Sequence, residues 1–95
     1  MNGATKTPRP YQYGHGCAIM ILVAEQMGLA PALCDAARQL LDGNDVHPMT
    51  GAAIEAEAVR VNGALRHDPD KIALANQHAE LLKVKYGFLL ANPAT

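Results

Sequence analysis

From Cys17 to Ala24 every side chain is apolar, and Glu25, Gln26 and Met27 continue the run as good helix formers. This pattern predicts a first helix over residues 16–27, entered through Gly14 and Gly16 on either side of His15. A buried strand over 17–23 is the competing reading. The helix-forming continuation through Met27 decides against it. A helix that is apolar on every face sits at the centre of a domain or meets a partner with its second face.

Gly28 tolerates a positive φ and ends this helix, and Pro31 suits the first turn of a second one that runs to Leu41. The turn-forming stretch Asp42, Gly43, Asn44 and Asp45 closes it. Its inward face is Leu33, Ala37, Leu40 and Leu41. Pro48 and Thr50 mark the third start, with Thr50 as N-cap, and Ile54, Ala58, Val61 and Leu65 recur at four, three and four residues over a helix of 51–66. Gly63, inside that helix, marks a close crossing. Asp68 followed by Pro69 opens a fourth helix over 69–89, with the stripe Ile72, Ala75, Ala79, Leu82, Tyr86 and Leu89 on its inner face. Lys71, Glu80, Lys83 and Lys85 lie on its outer face. Should Gly87 end it early, Phe88, Leu89 and Leu90 fold back as an apolar plug. Residues 1–13, with Pro8 and Pro10 around Arg9, show neither period and read as an extended arm. The expectation is an all-α fold, a compact bundle or orthogonal array of about four helices over residues 14–95, preceded by that arm.

Composition changes this picture in one respect. Seventeen alanines, one Phe, three Tyr and no Trp in 95 residues make a thin core built from many small contacts. A chain this short buries only roughly 60–65% of its unfolded surface, so a homodimer is a reasonable expectation. Eight basic and nine acidic side chains, interspersed, leave a net charge of −1 and no general attraction to nucleic acid or anionic lipid. The apolar run of Cys17–Ala24 is too short to span a membrane, and the N-terminus lacks a signal-peptide core; the expectation is a cytoplasmic protein. Two cysteines, Cys17 and Cys34, make no disulfide framework and read as buried free thiols.

Several constellations bear on chemistry. Residues 20–40 resemble a helix-turn-helix in spacing, with Ala24 and Gly28 four apart and apolar residues at Val23, Met27, Leu29, Leu33 and Ala37. In such a unit the second helix reads DNA. Its outward residues Ala32, Asp35, Arg38 and Gln39 include two that can reach base edges, Arg38 and Gln39, and one carboxylate that repels phosphate. Lys6 and Arg9 in the arm are placed as minor-groove contacts are in homeodomain arms. Gly16 and Cys17 at a helix start loosely resemble the nucleophile helix of papain-like and transglutaminase-like enzymes, where backbone N–H groups lower a thiol pKa. Those folds carry a histidine and an acid or amide on a following sheet, and here His47, His67 and His78 match by residue type alone. His15, Cys17, Cys34 and His47 lack the paired spacing of a zinc site, so no metal and no cofactor is expected. His78 sits beside the inner stripe of the fourth helix as a boundary histidine. Glu55 and Glu57, two apart, cannot face each other and read as a solvated face.

A protein surface needs the fewest missing parts. The arm with Tyr11 and Tyr13 beside Arg9, and Tyr86 and Phe88 near the C-terminus, supply residues of the kinds found at interface hot spots. The chain is therefore expected to be a non-enzymatic binding protein, a small regulator or inhibitor that occupies a larger protein's surface, of a size that suggests a phage or mobile element. Its expected contacts are Lys6, Arg9, Tyr11, Tyr13, Arg38 and Gln39. A helix-turn-helix DNA binder is the alternative, and a cysteine enzyme using Cys17 the third.

Overall fold

A computed structural model of the chain describes residues 13–88, with side chains from Gly14 onward. It is a four-helix all-α bundle: α1 (Tyr13–Gln26), α2 (Cys34–Leu41), α3 (Pro48–Leu65) and α4 (Pro69–Lys85). Helix α1 packs against each of the other three, α3 touches both α2 and α4, and α2 and α4 do not meet among the described residues. This is the physical answer to a helix with no polar face. Ala18, Ile19, Ile21, Leu22, Val23 and Ala24 are all buried, because neighbours close on α1 from three directions. Each of the Ile, Leu and Val side chains among them contributes about 1.5–3 kcal/mol relative to exposure, and each alanine less. Their contacts across α1 replace the aromatic anchors the chain lacks.

The helix ends are set by local chemistry. After α1, Gly28 adopts φ 81° and lets two amides turn back: Gly28 N–H donates to the Glu25 carbonyl at 3.1 Å, and Leu29 N–H to Ala24 at 3.0 Å. This is a Schellman closure, available because a residue without Cβ takes the left-handed conformation freely. The same pair of bonds closes α2, from Gly43 and Asn44 to the Leu40 and Gln39 carbonyls. At the end of α4, Gly87 has φ 79° and Phe88 N–H donates to the Lys83 carbonyl at 2.9 Å. That turn sends Phe88 into the core, 4% exposed, with its ring 4.5 Å from the His15 ring on α1. The apolar plug forms at Phe88; Leu89 and Leu90 lie outside the described residues.

Four expectations change. Helix α1 starts at Tyr13 and takes in Gly14 and Gly16, since the burial of its apolar centre outweighs the roughly 1 kcal/mol each glycine costs. Helix α2 starts at Cys34, leaving Pro31 outside its first turn, because Ala30 and Leu33 hold φ of 50° and 68° and the helix cannot extend back through them. Helix α3 starts at Pro48, and its N-cap is His47, whose Nδ1 accepts the Met49 N–H at 3.0 Å; Thr50 is already inside. Gly63 marks no close crossing: it is exposed, and a Cβ there would meet nothing within 4 Å. Asp68 caps α4 as expected, accepting from Asp70 N–H at 3.0 Å with Pro69 behind it.

The inner faces follow the periodicity. Ala37 and Leu41 on α2 are buried, as are Ile54, Ala58, Val61 and Leu65 on α3 and Ala75 and Leu82 on α4. Leu33, Leu40, Ala79 and Tyr86, expected on the same faces, are only half-buried, and Ile72 is 38% exposed at the rim of α4. No helix of the described residues is long and apolar enough to cross a membrane.

Candidate protein-binding surface

The residues singled out for chemistry do not converge. Cys17 lies in the second turn of α1, where its own N–H belongs to the helix ladder and supplies no anion site. Burial pushes its thiol pKa up, and the nearby Glu55 carboxylate adds to the shift. An activated nucleophile needs the opposite. Cys17 borders an open cleft of about 350 Å³ between α1, α2 and α3, with Leu40, Val46, Pro48, Ile54 and Glu55 on its walls and none of the described histidines. Cys34 is a half-buried thiol whose Sγ lies 3.5 Å from the Pro31 carbonyl, and burial and Glu25 raise its pKa too. Both thiols are free and pack against the apolar core. Among the described residues no group of three His, Cys, Asp or Glu side chains could hold a metal ion.

Arg38 and Gln39 are engaged within the molecule. The Arg38 guanidinium reaches both Glu25 carboxylate oxygens, at 2.8 and 2.9 Å, and lies 3.6 Å from Asp35. The Gln39 amide oxygen accepts from Asn44 Nδ2 at 2.7 Å. The link from α1 to α2 runs through residues 27–33, longer than the 3–4-residue turn of a helix-turn-helix. A recognition helix here would start only at Cys34, with Asp35 in its first turn and its one arginine turned back to two carboxylates. Lys6, Arg9 and Tyr11 lie outside the described residues, as does the Tyr13 side chain. Phe88 is buried and Tyr86 half-buried, so these two aromatics staple α4 to the bundle.

One polar group that spacing alone marked as solvated has a structural task. The half-buried Glu57 carboxylate accepts the Ala32 backbone N–H at 2.7 Å and two bonds from Arg60, at 2.8 and 2.6 Å. These hydrogen bonds hold its pKa down at about 2, the Arg60 contact being the larger cause. Glu55 lies on the wall of the cleft beside Cys17. A bond across 25 residues between a carboxylate and a backbone amide leaves no periodic trace, so no sequence signal marks it.

What the bundle does present is a second apolar face on α3 and on α4, two of its three outer helices. On α3, Met49, Ala52, Ala56, Val59 and Gly63 recur at three and four residues, opposite the buried Ile54, Ala58, Val61 and Leu65, and all five are exposed or nearly so. Met49 is 76% exposed and Val59 73%. On α4, Leu74, Leu81 and Val84 stand out at 46%, 68% and 59%, on the side away from Ala75 and Leu82. Isolated exposed apolar residues are ordinary; here they fall in line along their helices. The inner stripes were legible from periodicity, and these outer ones carry the same signal in the sequence, masked because two apolar faces on one helix cancel its amphipathic contrast.

No family model matches this chain, and comparison with curated proteins and with solved structures finds no match either.

Proposed function

We propose that this chain is a small helical protein-binding module, a non-enzymatic regulator or inhibitor that acts by covering part of a larger protein. The outer face of α3 carries the proposal. Met49 and Val59 are exposed there on a line otherwise made of Ala52, Ala56 and Gly63. Alanine and glycine let another backbone approach closely, while the two larger side chains supply apolar area to bury. Arg60 flanks the line with its guanidinium drawn onto Glu57, which leaves a polar rim beside an apolar centre. That shape fits an amphipathic helix of a partner laid along α3. The arm with Lys6, Arg9, Tyr11 and Tyr13 would extend the contact, and Arg38 and Gln39 would contribute at most from its edge, since both already serve internal bonds.

Capture of partners by the tagged full chain from native lysate, with and without nuclease, compared with Val59→Glu, tests this. The expected result is one stoichiometric protein that survives nuclease and is lost with Val59→Glu while helicity is unchanged. Equal capture by Val59→Glu, or recovery of nucleic acid that nuclease abolishes, overturns the reading, the latter in favour of a DNA-binding regulator.

A further inference from the structure

We infer that the cleft between α1, α3 and α4 binds a small carboxylate with an apolar body, of the kind a short fatty acid presents. The cleft measures about 340 Å³ and opens to solvent. It is a gap in the core and not a dent in the polar surface. Leu65 and Ala75, from the buried faces of α3 and α4, line it together with Met20 of α1. Met20 interrupts the otherwise buried run from Ala18 to Ala24, and Ile72 is the most exposed described member of the α4 inner stripe. Both stand in this cleft.

The gap has a cause in the packing. Helices α3 and α4 each pack on α1 far more than on one another, so the space between them over α1 is left unfilled. Two side chains that periodicity assigns to the core are thereby available to an apolar ligand. The flexible thioether of Met20 adapts to the shape of what enters. The volume lies at the small end of the range for ligand pockets, about 300–1,000 Å³, which limits the apolar body to a short chain or a single ring.

Charge selects the head group. The polar residues on the walls are Asn62, Arg66 and Asn76, and no carboxylate of the described residues lines the cleft. None of these three side chains is bonded to another described residue, whereas Arg38 and Arg60 are each held by a glutamate. A guanidinium offers paired donors that match the two oxygens of a carboxylate, and the carboxamides add further donors. A cation would meet Arg66 with no acid to offset it. A plain hydrocarbon would leave all three polar groups without a partner, and inorganic phosphate would leave the apolar lining unused. None of the cleft residues belongs to the outer line of α3, so this site stands or falls separately from the partner reading above.

Titration of the isotope-labelled full chain with octanoate, followed by amide NMR, tests this. The expected result is saturable binding with a dissociation constant of about 0.1–1 mM, the range open to a ligand of this size. The largest shifts should fall at Met20, Arg66 and Ile72 and in the side-chain amides of Asn62 and Asn76. Acetate, the head without the body, and octanol, the body without the head, should each bind roughly 5-fold more weakly or worse. Arg66→Gln should weaken octanoate by about 5-fold or more and leave octanol unchanged, with far-ultraviolet circular dichroism intact. Asn76→Asp, which sets a carboxylate in the cleft, should do the same. No saturable shift up to about 10 mM octanoate overturns the assignment. So does a pattern centred on the outer faces of α3 and α4, acetate binding as well as octanoate, or undiminished octanoate affinity in both variants.

Discussion

The Glu57 carboxylate on α3 accepts the backbone N–H of Ala32, 25 residues earlier, at 2.7 Å. That bond pins the irregular segment between α1 and α2 to the third helix. The segment needs an anchor, because Ala30 and Leu33 both hold positive φ without being glycine, a conformation that costs each of them on the order of 1 kcal/mol. Arg60 holds the other side of the same carboxylate, so the group is oriented from its own helix and used across to the loop.

The pH dependence of stability follows from this arrangement. The folded Glu57 pKa is depressed to about 2 from 4.5, so its contribution is fully present above pH 4.5 and is lost as pH falls from there through about 2. Thermal melts of the unmodified protein should therefore lose stability across that window more steeply than Glu57→Gln, which should also melt lower at pH 7. Identical acid profiles for the two proteins would remove Glu57 from the account.

Glycine substitutions should separate by conformation. Gly63→Ala, at an exposed helical site with open space around it, should stabilise the bundle by about 0.5–1 kcal/mol. Gly28→Ala, at φ 81°, should destabilise it by about 1 kcal/mol or more, because alanine is strained where the Schellman turn requires the left-handed region. Urea denaturation midpoints measure both, and the sign of each is the test.

Leu82→Ala and Ile54→Ala remove side chains that are 3% and 1% exposed against the central helix. Each should cost about 2–5 kcal/mol, the usual range for emptying a buried aliphatic site. In a bundle this small that is a large share of the total, so equilibrium unfolding should show partial loss of structure at ordinary temperature. Val84→Ala, on the exposed face of α4, should shift the monomer's stability by no more than about 0.5 kcal/mol.

Cys17 should label slowly. Its thiol is half-buried and its pKa is raised by burial and by Glu55, both of which reduce the thiolate fraction near neutrality. Reaction of the native protein with a thiol-specific alkylating reagent at pH 7.5 should be slower at Cys17 than after denaturation, site by site in a mass-spectrometric time course. Native labelling faster than the denatured rate would reopen the nucleophile reading.

Legible in the sequence alone were the helical count, most of the inner faces and the helix ends at Gly28, Asp68 and Gly87, but not the His47 cap of α3. Ile54, Ala58, Val61 and Leu65 bury the line their spacing draws, Asp68 caps α4, and Gly28 and Gly87 stop the helices before them. These are local properties, fixed by periodicity and by backbone preference within a few residues. Tertiary structure decided the rest. The start of α2 at Cys34 depends on strained residues held in place by Glu57 from another helix, and the engagement of Arg38 depends on Glu25 from α1. The exposed apolar faces were decided in the same way. Helices α3 and α4 have two apolar faces each, and only the position of α1 determines which face is buried and which is left exposed. Periodicity places side chains around a helix axis; the direction in which that helix faces is set by what packs against it.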